Sequence, residues 1–257
     1  MTTHDSSWPA GTPCWVDITV SDLARSQAFY RTVLGWEFTE SEPEAFGGYC
    51  NALLGGRQAA GMSPPMGEDS PHFWTVYLAT DDAAASDAAI TQAGGRQILA
   101  PMQVGSFGTM GIYADPTGAV FGTWASDEHT GFGVADEPGA VTWCEGMVGD
   151  YEVGKAFYAS AFGFTYTDIS DENMSYAMFS VPAGERPAGG IGGITDQPPY
   201  WSVTFEVDGT DAAVQRVRDA GGAVTVEPFD FEYGRLAIVT GPDGEPFGVI
   251  TSTPMPA

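Results

Sequence analysis

Residues Trp15 to Gly35, WVDITVSDLARSQAFYRTVLG, return later in the chain as Trp143 to Gly163, WCEGMVGDYEVGKAFYASAFG. The offset is nearly constant: Trp143, Tyr158 and Gly163 follow Trp15, Tyr30 and Gly35 by 128 residues each. Trp201 follows Trp74 by 127, Gly221-Gly222 follows Gly94-Gly95 by 127, and Phe247-Gly248 follows Phe121-Gly122 by 126. A chain of 257 residues that repeats at half its length folds as two similar units, because the same apolar and turn pattern specifies the same local structure twice. A fainter half-period lies inside each unit. Trp74 follows Trp15 by 59 residues, Trp201 follows Trp143 by 58, and Asp81 stands to Trp74 as Asp22 does to Trp15. The chain is therefore read as four modules.

Within a module the order of elements is legible. An alternating apolar and polar run ends at Asp22 or Asp150, a residue suited to cap a helix, and a helical pattern follows with Ala28, Phe29 and Leu34, or Ala156, Phe157 and Phe162. Gly35 and Gly163 stop these helices, since glycine takes the left-handed conformation without a Cβ clash. Trp36 to Phe38 and the apolar stretches 46–54 and 59–62 then supply three strands, with glycine pairs at 47–48 and 55–56 where hairpin turns fall. The second module repeats this with a strand at 72–79, a helix at 83–92 and three strands, the last two joined by the turn Asp115-Pro116-Thr117-Gly118. The expected fold is α+β: four βαβββ modules, at about 13–64, 71–126, 140–196 and 199–253, paired into domains 1–130 and 138–257. Residues 1–12 read as a polar tail, 63–71 (with Pro64, Pro65 and Pro71) as the end of the first module, and 126–138, SDEHTGFGVADEP, as an interdomain linker.

Charge excludes some partners. With 34 acidic residues against 9 basic ones, a formal net charge of -25 and Lys155 as the only lysine, the surface repels phosphate backbones and anionic lipid. Nucleic acid and membrane are therefore not expected as partners, whereas neutral or cationic small molecules are. No apolar run reaches the ~18 residues of a membrane-spanning helix, and the first residues lack a signal-peptide pattern. Cys14, Cys50 and Cys144 are odd in number and lack metal-ligand spacing, so they read as reduced thiols and the chain as cytoplasmic, a monomer or homodimer.

Four strand-helix-three-strand modules, the stretch VSDLARSQAFYRTVLGWEF and the closing ADPTGAVFGTW together resemble the vicinal oxygen chelate superfamily, which includes glyoxalase I, bleomycin-resistance proteins and extradiol dioxygenases. The similarity is greatest to its two-domain actinobacterial glyoxalase-like branch. The resemblance implies paired modules whose curved mixed sheets enclose a cleft, and in the metalloenzymes of the superfamily a divalent ion held there. It also implies where the ligands should stand. One lies seven residues before the Asp that opens each helix, and counting back from Asp22, Asp81, Asp150 and Asp208 reaches Trp15, Trp74, Trp143 and Trp201. Another is a Glu in the last strand, at positions occupied here by Gly122 and Gly248. Tryptophan offers a donor N–H and no lone pair for a cation, glycine offers nothing, and a divalent ion needs three or four converging ligands. No metal and no other cofactor is expected. Gln58 is one isolated candidate ligand.

If Trp15 and Trp143 point into their clefts, side chains two residues away on the same strand do so too, which adds Asp17 and Glu145. The same reasoning puts His72 beside Trp74, so the first cleft is expected to hold Asp17, His72, Trp15 and Trp74, and the second Glu145, Trp143 and Trp201. Asp17, His72 and Glu145 are the candidate acid–base groups, and the four tryptophans the candidate ligand walls. Tyr30 and Tyr158 read as residues packing a helix on its sheet, the run 189–193 (GGIGG) as a close-packed strand, and Lys155 as an exposed helix residue. Three readings stay open: a metal-independent protein that binds a small hydrophobic, aromatic or cationic metabolite or antibiotic; a cofactor-independent cyclase, isomerase or hydrolase using Asp17 and His72; and a metal-dependent lyase or dioxygenase.

Overall fold

A computed structural model describes residues 2–40, 47–65, 67, 70, 72–184 and 186–253. Phe46, expected to open a strand, and Pro71 lie outside the described residues, as do parts of the expected 63–71 connection. In the first half the elements are β1 (Thr2–Thr3), β2 (Pro13–Thr19), α1 (Leu23–Leu34), β3 (Glu37–Phe38), β4 (Cys50–Leu54), β5 (Arg57–Ser63), β6 (Trp74–Ala79), α2 (Ala83–Gln92), β7 (Arg96–Val104), β8 (Gly108–Ala114) and β9 (Val120–Ser126). They are followed by β10 (Val134–Ala135), β11 (Val141–Val148), α3 (Tyr151–Phe162), β12 (Thr165–Asp168), β13 (Tyr176–Ser180), β14 (Gly189–Gly193), β15 (Tyr200–Glu206), α4 (Thr210–Asp219), β16 (Ala223–Phe231), β17 (Gly234–Thr240) and β18 (Pro246–Ser252). The run 189–193 is a strand, β14, as expected, not a phosphate loop.

Two eight-stranded mixed sheets result, ordered β3-β4-β5-β2-β6-β9-β8-β7 and β12-β13-β14-β11-β15-β18-β17-β16. The second order is the first repeated on equivalent strands, and each sheet draws on two successive modules. The opening strands of the two modules pair antiparallel at the sheet centre, with Asp17 opposite Thr75 and Glu145 opposite Ser202.

Helix ends follow the cap chemistry. Asp22 accepts from the Arg25 N–H at 3.0 Å and Asp150 from the Val153 N–H at 3.1 Å, while Gly35 and Gly163 close their helices at φ 76° and 71°. The even-numbered helices start one residue later than the sequence landmarks suggest. Asp82, not Asp81, caps α2 by accepting from the Ala84 and Ala85 N–H groups, and Gly209, not Asp208, stands at the cap of α4. That single step sets the register of everything counted back from it.

One face of each sheet builds the core. In β2, Val16 and Ile18 are 0% and 1% exposed, and across the strand pair Val76 and Trp74 face them. The two halves share this core by lending helices to each other. Phe29 of α1 meets Phe247 with ring centroids 6.3 Å apart, Phe157 of α3 meets Phe121 at 6.1 Å, and Trp36 and Trp74 both lie edge-on to Phe205, at 5.4 and 5.5 Å. Tyr30 and Tyr158 pack their helices on the sheet, against Trp74 and Trp201 at 5.5 Å each, and also reach across: Tyr30 donates to the fully buried Glu245 at 2.7 Å and Tyr158 to Asp115 at 3.1 Å.

The tail and the linker are packed structure. Thr2–Thr3 pairs with Val134–Ala135, Trp8 donates its indole N–H to the Phe132 carbonyl at 3.1 Å, and Phe132 and Gly133 donate backbone N–H groups to Cys14 and Gln58. Phe132 and Val134 are each 2% exposed, so apolar burial, not chain entropy, decides the conformation of residues 129–135. Among the described residues no helix is long and apolar enough to cross a membrane.

Candidate functional site

The face of each sheet opposite the shared core carries the candidate site. In the first half, strand register places Asn51, Gly61, Asp17 and Thr75 in one row across it, and Trp15, Tyr77, Gly122, Ile112 and Leu99 in the next. The Trp15 indole donates to Tyr49 Oη at 2.9 Å, and Tyr49 and Tyr77 both donate to Asp17 Oδ2, at 3.4 and 3.1 Å. Glycine is required beneath these rings. A Cβ at Gly61 would lie 1.7 Å from Tyr49 Oη, and one at Gly122 only 2.2 Å from the Tyr77 ring.

The second half repeats the arrangement. Trp143 Nε1 donates to Tyr176 Oη at 2.8 Å, Tyr176 donates to Glu145 Oε2 at 2.6 Å, and Ser202 Oγ lies 3.3 Å from Glu145 Oε1. A Cβ at Gly190 would stand 1.9 Å from Tyr176 Oη. The matching row reads Trp143, Thr204, Gly248, Ile238, Val226. Each half thus holds a chain of indole, phenol and carboxyl on the open face of its sheet, the indole and carboxyl from its central strand β2 or β11 and the phenol from residue 49, just before β4, or from β13.

The structure divides the four tryptophans into two pairs. Trp15 and Trp143 lie on the open face. Trp74 pairs with Ile18 and Trp201 with Gly146, which puts both on the opposite, core face; Trp74 packs on Tyr30 at 5.5 Å, and Trp201 donates to Tyr158 Oη at 2.7 Å. The cause is the helix start. Seven residues before the caps Asp82 and Gly209 stand Thr75 and Ser202, so these, and not Trp74 and Trp201, are the counterparts of Trp15 and Trp143. The pairing of His72 with Asp17 also does not form: His72 Nδ1 bonds the Thr19 carbonyl at 3.0 Å, while Asp17 is occupied by the two tyrosines. Lys155 is not free either, being paired with Glu152 and Asp168 at 3.1 Å each.

Burial governs the electrostatics. Removal from water pushes the Asp17 carboxyl up to about 7, against the downward pull of the Tyr77 and Tyr49 hydroxyls, and raises Glu145 for the same reason against Tyr176 and Ser202. Tyr49, Tyr77 and Tyr176 are held as neutral phenols by burial and by the neighbouring carboxyls. His129, read from sequence as a linker residue, sits edge-on to Trp15 at 4.4 Å, accepts the Gly131 N–H at Nδ1, and is driven down to about 4 by burial. It is a neutral ring at physiological pH.

The residues do not fit the metal ion that the resemblance implies. The positions at which the resemblance implies ligands carry Trp15, Thr75 and Gly122 in the first half and Trp143, Ser202 and Gly248 in the second. Among the described residues no group of three or more His, Cys, Asp or Glu could hold one. The Tyr77 ring fills the space that a glutamate at 122 would need. Gln58 uses its backbone carbonyl on the Gly133 N–H and stands alone as a side-chain ligand.

Sequence reasoning missed Tyr49, Tyr77, Tyr176 and His129. Tyr176 follows Tyr49 by 127 residues, within one of the 128 that separate Trp143 from Trp15, so the repeat contained the signal for that pair. Tyr77 has Thr204 in its place, and His129 belongs to a segment with no periodicity, so neither left one.

Residues 140–249 match the family model of the glyoxalase/bleomycin resistance protein/dioxygenase superfamily, and residues 13–46 match that of the bleomycin resistance protein-like N-terminal region. CFP32 of Mycobacterium tuberculosis, which carries a provisional glyoxylase name, is 32% identical over 97% of this chain and 98% of its own. Anthracycline biosynthesis protein DauV of Streptomyces sp. (strain C5) is 33% identical over 93% of each. In fold, the chain is similar to the Mn(II)-bound glyoxalase from Novosphingobium aromaticivorans, with a TM-score of 0.68 at 15% identity over 94% of this chain and 82% of that one. It is similar also to the 2,3-dioxygenase LapB from Pseudomonas sp. KL28, with a TM-score of 0.67 at 14% identity over 96% and 95%.

Proposed function

The chain belongs to the glyoxalase/bleomycin resistance protein/dioxygenase superfamily, and from that premise we propose that it binds a small hydrophobic or aromatic metabolite on the open face of a sheet, without a metal ion. One observation carries the reading: where metal ligands would converge, each half has an indole, a phenol and a carboxyl bonded in series. Such a chain presents ring surfaces and a few oriented polar groups, the composition of a site for a flat organic ligand. The apolar rows ending in Leu99 and Val226, 38% and 40% exposed, extend the same surface. The relatives named for anthracycline biosynthesis support a polycyclic aromatic ligand of natural-product metabolism. The three buried free thiols suit a reducing cytoplasm.

A cofactor-independent isomerase or cyclase is a second reading, favoured by the Asp17 carboxyl poised at about 7, where it can give and take a proton. The two are separated by incubating protein with an aromatic polyketide panel and following tryptophan fluorescence and product formation together. Saturable quenching without turnover, unchanged by chelator and with no stoichiometric metal by elemental analysis, is the expected result. About one equivalent of metal per half, or binding abolished by chelator, refutes it.

A further inference from the structure

The two open faces are built on one plan but are not equally accessible. In the first half Trp15 is 4% exposed, because His129 and Phe132 lie against it at 4.4 and 5.7 Å, and Tyr77, 5% exposed, covers the Gly122 floor. In the second half the smaller Thr204 replaces Tyr77 over the Gly248 floor, where a Cβ would lie 2.4 Å from its Oγ1, and Trp143 is half-buried where Trp15 is buried. Glu145, Tyr176 and Ser202 are half-buried, as their counterparts Asp17, Tyr49 and Thr75 are, so the difference in access lies at the tryptophan; Tyr200 is half-buried too. The polar row differs too: Asn51 of the first half has Met178 in its place in the second.

Glu145 is the one acidic group at this open site. Its partners are the Tyr176 and Ser202 hydroxyls, from β13 and β15; Cys144 and Tyr200 are the other titratable groups near it, and none of the nine basic residues is among the charges acting on it. A carboxylate withdrawn from water with only hydroxyl donors lacks the opposite charge that would stabilise its ionised form. Trp143, Tyr176 and Tyr200 lie around it, aromatic rings of the kind that attract cations, and a protein of net charge -25 concentrates cations at its surface.

We propose that the open face of the second half, not the first, is the ligand site, and that Glu145 anchors there the protonated amine of a flat aromatic ligand. This rests on the binding reading above and names the half, the anchor and the ligand charge. In the bound state the ammonium replaces the missing counter-ion of Glu145 while the aromatic body lies along the row from Trp143 to Val226.

The test compares two fluorescent probes of equal shape, anthracenylmethylamine, protonated near neutral pH, and the neutral anthracenylmethanol, against the full chain and the variants E145Q and D17N. Expected are an amine Kd at least roughly tenfold below that of the alcohol, loss of this preference in E145Q, and its retention in D17N. Amine binding should also tighten as pH rises through the range in which Glu145 ionises. Loss of the preference in D17N but not E145Q places the site in the first half and overturns the inference while leaving the binding reading intact. Equal affinity for the two probes overturns the anchor. Failure of both probes and of the polyketide panel overturns the binding reading and the inference with it.

Discussion

Asp17 makes the fold sensitive to pH in a calculable direction. In the folded chain its carboxyl titrates at about 7 because burial opposes ionisation, whereas in the unfolded chain it returns to roughly 3.9. A group whose folded pKa is raised contributes its full stability below the unfolded value and loses it as pH rises through the folded one. Between these two values the stability of the wild-type chain falls, and above about 7 the loss levels off at roughly 4 kcal/mol, taking 1.36 kcal/mol per pH unit as an upper bound. Asp17→Asn keeps the shape and an acceptor for Tyr77 and Tyr49 but cannot ionise. Urea unfolding of both proteins across the range from acid to mildly alkaline pH should show their stability difference shifting in favour of the variant by up to about 4 kcal/mol as pH rises. A difference independent of pH, or one shifting in favour of the wild type at high pH, refutes the assignment of a buried, uncompensated carboxyl.

Gly190→Ala places a methyl group 1.9 Å from Tyr176 Oη and must displace the phenol from Trp143 and Glu145; a loss of about 1–3 kcal/mol in denaturant unfolding is expected, and a neutral result would mean that the ring moves freely. Tyr30→Phe leaves the fully buried Glu245 without its 2.7 Å donor across the junction of the halves and should cost about 1–3 kcal/mol by thermal or urea unfolding; the half-to-half bond is unimportant if it costs nothing. Phe132→Ala removes a side chain that is 2% exposed and should cost about 3–5 kcal/mol. The same variant should raise acrylamide quenching of tryptophan fluorescence by uncovering Trp15, and unchanged quenching would show that residues 129–135 do not shield it.

The candidate site was legible where it follows the repeat. Trp15 and Asp17, and their counterparts Trp143 and Glu145, share a strand and a face by simple alternation, and the structure keeps them together. Trp74, Trp201 and His72 fall outside the open faces because Asp81 and Asp208, which have the residue type of a cap, are not the caps. Both Asp81 and Asp82 can accept a backbone N–H, and only the chain path into α2 selects Asp82. A one-residue slip in a strand exchanges its faces completely. The tyrosines that bond the carboxyls come from other segments, 32 residues away for Tyr49 and 60 for Tyr77, and local pattern carries no information on such contacts.

The sequence alone determined that there are two halves, that each is built as strand, helix and three strands twice over, and where the first and third helices begin and end. These are consequences of local periodicity, cap chemistry and residue type, which neighbouring residues settle among themselves. The tertiary structure decided which tryptophans lie on the open faces, that Tyr30 and Tyr158 bind the opposite half, and that residues of the 129–135 segment cover Trp15. Those outcomes depend on burial and pairing between segments far apart in the chain, where apolar area and hydrogen-bond satisfaction outweigh any local preference.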